Sequence, residues 1–188
     1  LVVLWVNFFV QVSIALALGF DKPSPGLMDR KPRPMTQPVL TRGQWARLIF
    51  IGLLTALITL VVETRYTQTM GTAYAASMGF LFFSMANIAV GLSCRSEFDT
   101  VFTLATVADR RQLTLYGISL LAIIIGLEFN IGQRILGTVS LSGWDYLIAI
   151  ACAFALLLID EVVKFFLRRR NARQEEKEKV VKSYPQPA

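Results

Sequence analysis

Five stretches of this chain carry no Lys, Arg, Asp or Glu: residues 1–20, 48–62, 66–94, 112–127 and 146–159. A helix crossing the hydrocarbon layer of a bilayer, ~30 Å thick, needs about 20 largely apolar residues. In lipid every backbone amide must be satisfied within the spanning structure, which a helix achieves alone. The first and third runs have that length already. The others reach it with their flanks, as Trp45–Glu63, Gln112–Asn130 and Trp144–Leu167. The pattern predicts an all-α membrane protein, a bundle of five transmembrane helices at about 1–20, 45–63, 70–93, 112–130 and 144–167. Composition agrees, with 54% hydrophobic and 17% charged residues, against about 25% charged in an ordinary soluble domain. Packed inside a soluble globule, five such segments would leave too little polar chain to coat them.

Several kinds of chemistry are excluded early. There is no His, and the two thiols, Cys94 and Cys152, build neither a Cys-cluster zinc site nor a disulfide framework. No nucleophile triad and no phosphate-cradling glycine loop is present, so no catalytic residue is expected in this chain. Nucleic acid is a poor partner for a chain that is mostly lipid-buried.

Basic residues alternate from loop to loop. Lys22, Arg30, Lys31, Arg33 and Arg42 lie between the first two spans, and Arg65 alone before the third. Arg95, Arg110 and Arg111 precede the fourth span, Arg134 alone the fifth, and Arg168, Arg169, Arg170, Arg173, Lys177, Lys179 and Lys182 follow it. Positive loops stay cytoplasmic. The expectation is a multi-pass protein of the plasma membrane with Leu1 outside and a basic cytoplasmic tail over 168–188. Arg47 and Lys164, near span ends, are expected to snorkel to the headgroups. The loop Asp21–Gln44 carries Pro23, Pro25, Pro32, Pro34 and Pro38 and predicts an extended, semi-rigid connector. Leu1 opens inside an apolar run without Met or a charged leader, which reads as a piece of a larger protein.

Polar residues inside spans are costly unless paired, so they are the candidate site. Asn7 and Gln11, four apart, share a helix face and offer amide oxygens. Hard cations bind oxygens, amide oxygens included. The same amides also serve as interhelical hydrogen-bonding groups, and spacing alone leaves both roles open. Ser84 and Asn87 stand three apart on the third span with the same two roles open. In the fifth span, Asp160–Lys164 and Glu161–Lys164 have the i,i+4 and i,i+3 spacings of a salt bridge, and a structural lock is expected in preference to a proton relay. Gly52 with Ala56, and Ala75 with Gly79, give small-residue faces for close helix approach.

Leu4-Trp5-Val6-Asn7, then Ala17-Leu18-Gly19-Phe20-Asp21, then Pro23, Pro25, Met28, Asp29, Arg30, Pro32 and Arg33 form a specific pattern. It resembles the C-terminal transmembrane region of P-type cation-transporting ATPases, helices six to ten, in the calcium-pump-like branch. Asp160-Glu161-Val162-Val163-Lys164-Phe165 is similar to the acidic pair and Lys of that family's tenth helix. The resemblance implies the membrane portion of an ATP-driven cation pump, supplying part of the ion site and supporting helices. The phosphorylation, nucleotide-binding and actuator domains would lie in the missing N-terminal part of the pump. That parent would need ATP and magnesium, and this chain alone would hold no cofactor and hydrolyse nothing. Partners would be the transported cation, the lipid bilayer and the rest of the pump.

Carried over residue by residue, the resemblance makes Asn7, Gln11 and Ser84 cation-binding, with Asn87 anchoring Ser84 and Asp160, Glu161 and Lys164 structural. It also shows a departure. Val10 stands where calcium pumps have Thr, and Gln11 where they have Asp. The family's two-ion arrangement is therefore not expected intact. The alternative to a pump segment is a stand-alone, non-enzymatic helical membrane module that assembles with or regulates a transporter.

Overall fold

The computed structural model describes residues 1–21, 40–95 and 110–183, with side chains omitted for 168 and 170–183. The proline-rich connector from Lys22 on, residues 96–109 and the last five residues lie outside the described residues.

Every described element is helical. α1 runs Val2–Gly19, α2 Arg42–Met70, α3 Thr72–Cys94, α4 Arg110–Glu128, short α5 Asn130–Leu136, and α6 Gly143–Ser183. Five of them are long and apolar enough to cross a membrane, α6 over Gly143–Leu167. They alternate in direction. Phe20, Arg42, Cys94, Arg110 and Leu167 therefore gather at one end of the bundle, called here the basic end.

Local chemistry sets the boundaries. α2 starts three residues earlier than hydropathy predicts because Thr41 and Gln44 form a capping box, each side chain bonding the other's backbone N–H at 3.3 and 2.6 Å. It runs to Met70, well beyond Glu63. Gly71 then breaks the ladder at φ 91°, a left-handed value that glycine alone adopts freely. α1 is not uniformly α-helical. Val6–Gln11 forms a π turn, with the Val12 N–H reaching back to the Asn7 carbonyl. π turns within helices occur disproportionately at functional positions.

α3 is the most enclosed helix and α2 the least. The main core joins Val6, Val10, Ile14 and Ala17 of α1 to Met78, Leu81 and Ile88 of α3 and to Ile123 and Leu127 of α4. Ala75 and Gly79 are buried within α3, whereas Gly52 and Ala56 lie exposed on α2. At Gly91 a Cβ would stand 2.4 Å from Ile14 Cγ2, so its missing side chain is what lets α1 lie against α3.

α1 and α4 are also tied by a line of polar contacts in antiparallel register. Trp5 Nε1 donates to the Ala122 carbonyl at 3.1 Å, Ser119 Oγ to the Val10 carbonyl at 3.2 Å, and Gln112 Nε2 to the Ala17 carbonyl at 3.4 Å. Ser13 Oγ donates to the Phe9 carbonyl at 2.9 Å. Two carbonyls of the π turn are thus met by serine hydroxyls, which offsets the loss of regular α pairing there.

Ionic groups fasten both ends. At the basic end Arg95 pairs with Asp21 at 3.0 Å, joining α3 to the end of α1. At the other end Asp145 of α6 is buried and accepts from the hydroxyls of Tyr66 in α2, at 2.6 Å, and Tyr74 in α3.

Candidate functional site

The polar residues expected at the site divide into two groups. The first lies where α1 meets α3. Asn7 is exposed on the outer side of the π turn, and Gln11, at its end, is half-buried. Gln11 Nε2 donates to Asn87 Oδ1 at 3.1 Å, and Asn87 Nδ2 donates to the Phe83 carbonyl at 2.7 Å. Asn87 also borders a groove of about 220 Å³ between α2 and α3, where Gly52 and Thr55 face Phe83.

Ser84, one turn before Asn87, is fully buried, and its Oγ has no hydrogen-bond partner among the described residues. Asn87 makes its hydrogen bonds to Gln11 and the Phe83 carbonyl. A buried hydroxyl left unpaired is destabilising by about 1–3 kcal/mol.

The second group lies at the basic end. Lys164 is 1% exposed; its Nζ donates to the Ser93 carbonyl at 2.6 Å and pairs with Glu161 at 3.1 Å. Asp160 does not turn to Lys164 as its i,i+4 spacing suggests. It takes Arg47 of α2, Nε at 2.7 Å and Nη2 at 2.5 Å, and also accepts from Ser93 Oγ. Arg47 and Lys164 therefore point into the bundle and do not snorkel outward. A planar guanidinium matches a carboxylate at two points, so the fork outcompetes the neighbouring ammonium for Asp160.

These groups differ in what they can do. The basic-end cluster is internally paired, its charges matched by partners on α2, α3 and α6. The α1–α3 group presents amide oxygens and a hydroxyl without a formal charge. Among the described residues no three of His, Cys, Asp and Glu come together in a metal-holding group. Sequence reasoning missed the Arg47–Asp160 pair, the tyrosine clamp on Asp145 and the π turn. The first two had a signal in charged or phenolic residues at span ends, but no local spacing that names the partner.

Several known proteins with similar sequences match most of the chain. It is 28% identical over 170 residues to calcium-transporting ATPase 1 of Schizosaccharomyces pombe, covering 90% of this chain and 19% of that protein. It is 29% identical over 152 residues to the calcium-transporting ATPase of Bacillus subtilis, covering 79% and 17%. With calcium-transporting ATPase type 2C member 2 of Mus musculus it shares 27% over 182 residues, covering 92% and 19%. The chain thus spans about a fifth of the length of these relatives. The sequence profile described as "Cation transporting ATPase, C-terminus" matches residues 1–166, four spanning helices whole and the fifth to within one residue of its end at Leu167, and the chain belongs to that family.

Proposed function

We propose that this bundle is a membrane portion of an ATP-driven cation pump, with α1 and α3 lining part of the ion path. Asn7 and Gln11 would supply amide oxygens and Ser84 a hydroxyl oxygen. The observation that carries this is the placement of Asn7 and Gln11 on a π turn of an otherwise apolar helix, with Asn7 exposed on a side no described helix covers. Polar groups at such depth mark ion pathways in membrane proteins. ATP and magnesium would act in the part of the pump outside this chain. The excess of Lys and Arg in the loops and tail supports a plasma-membrane orientation with α2's start, α3's end and the C-terminus on the cytoplasmic side.

Gln11 sets the chemistry. Divalent cations are held by summed ligand charge as well as by ligand number. With an amide where calcium pumps carry a carboxylate, the site is one-ion, completed by carboxylates on helices outside this chain, or tuned to a less charged cation.

Cation-dependent ATP hydrolysis by the pump carrying this segment tests the proposal, across calcium, magnesium, manganese, sodium and potassium. Gln11→Ala is expected to weaken cation activation, and Gln11→Asp to shift preference toward divalent ions. If both variants match the wild type in cation dependence and turnover, Gln11 is not a ligand.

A further inference from the structure

We propose that Asn87 is a positioning residue that decides which end of the Gln11 amide faces the transported cation. This rests on the cation site proposed above and adds to it an orienting device.

A primary amide has two ends of nearly equal size and opposite chemistry, an accepting oxygen and a donating NH2. Only the oxygen holds a cation. A carboxylate in the same place presents oxygen whichever way it turns. Replacing it with Gln therefore creates a requirement: something must fix the amide the right way round.

Two consecutive contacts meet that requirement. The Phe83 carbonyl, one turn back on α3, can only accept, so the Asn87 NH2 faces it at 2.7 Å and Asn87 Oδ1 faces away. That oxygen can itself only accept, so Gln11 turns its NH2 toward it at 3.1 Å. Gln11 Oε1 is then directed away from Asn87. Flipping Gln11 would bring two amide oxygens together, and flipping Asn87 would set its oxygen against the Phe83 carbonyl. The backbone of α3 thus dictates the orientation of a side chain on α1 through one intermediary. Each partner is half-buried, where competing water is reduced.

The test uses the pump carrying this segment, with Asn87→Ala, Gln11→Glu and the double variant. ATP hydrolysis is measured against calcium, with manganese, sodium and potassium in parallel, reading half-saturating cation separately from maximal rate. Asn87→Ala is expected to raise the half-saturating concentration about tenfold, the usual scale for losing a residue that orients a metal ligand, with the maximal rate little changed. In the Gln11→Glu background the same substitution is expected to leave half-saturation near that of Gln11→Glu alone, because a carboxylate needs no orienting. An equal loss in both backgrounds, or a fall in maximal rate at unchanged half-saturation, overturns the proposal and leaves Asn87 a packing residue. A cation-dependent wild type in which Asn87→Ala shifts nothing overturns the orienting role alone. A wild type indifferent to every one of these cations removes the site itself, and the orienting role with it.

Discussion

Arg47 and Asp160, 113 residues apart in the chain, meet as a two-point ion pair between α2 and α6, their side chains only 10% and 4% exposed. Ser93 of α3 bonds both partners, with Arg47 Nη2 donating to its Oγ at 3.2 Å. One cluster therefore pins three helices at the basic end. Removing one member of a buried pair strands the other, a loss of about 3–5 kcal/mol, whereas replacing both by apolar groups is often near neutral. Asp160→Ala is expected to destabilise the chain on that scale in unfolding titrations in mixed micelles. Arg47→Leu with Asp160→Leu should recover most of the loss. If the single variant unfolds like the wild type, the pair does not hold the bundle.

Asp145 gathers donors from three elements at the opposite end. Tyr66 OH lies at 2.6 Å, Tyr74 OH closer still, and the Ser142 N–H at 3.2 Å. Asp145 also sits in the first turn of α6, where a carboxylate complements the helix dipole. Hydrogen bonds to a charged group contribute about 1.5–3 kcal/mol each. Tyr66→Phe and Tyr74→Phe should each lose up to that amount, and Asp145→Ala more than either, since it removes the acceptor of both tyrosine hydroxyls together and leaves the Ser142 N–H only Tyr74 OH, at 3.1 Å. Thermal unfolding in detergent orders the three variants. An Asp145→Ala chain as stable as Tyr66→Phe would show that the carboxylate is not the organising group.

The five spans were legible because a lipid-crossing helix must be long and free of unpaired charge: 1–20 and 66–94 show both properties outright, and 48–62, 112–127 and 146–159 show the second and reach the length with their flanks. Boundaries were less legible because charge is tolerated inside a span once paired. α2 contains Arg42, Arg47, Glu63 and Arg65, and its limits are set by the Thr41 cap and by Gly71. Partner choice was the least legible. Asp160 has Lys164 one turn away, yet selects Arg47 because guanidinium geometry favours the fork, and sequence spacing reports only the local neighbour. Asn87 was legible as a polar residue beside Ser84, but its partners, Gln11 and the Phe83 carbonyl, depend on how α1 docks on α3. The π turn has no residue signature at all.

Two glycines should respond to alanine in opposite directions. At Gly132 of α5 a Cβ would sit 2.1 Å from the backbone oxygen of Ile125, so α5 and the end of α4 must separate. Overpacking of this kind is destabilising by about 1–3 kcal/mol or more. At Gly52 of α2 an added Cβ meets nothing within 4 Å. There Gly→Ala in a helix interior stabilises by about 0.5–1 kcal/mol, chiefly by restricting the unfolded chain. Gly132→Ala should lower the unfolding midpoint and Gly52→Ala raise it slightly. A neutral Gly132→Ala would mean that α5 does not press on α4.

Orientation follows from where the basic residues lie. The basic end carries Arg42, Arg95, Arg110 and Arg111 near the ends of the described helices, whereas the other end carries Arg65 and Arg134. Short loops rich in Lys and Arg are retained in the cytoplasm, which predicts that Cys94, exposed at the basic end, faces the inside. Ser140, exposed in the connection between α5 and α6, is then expected outside. In intact cells expressing the pump, a membrane-impermeant maleimide should modify Ser140→Cys in a background carrying Cys94→Ala and Cys152→Ala. It should leave native Cys94 unmodified until the cells are opened. The reverse pattern would invert the bundle and put the basic tail outside. Labelling of both positions in intact cells would mean that α4, the one spanning helix described between Cys94 and Ser140, fails to cross.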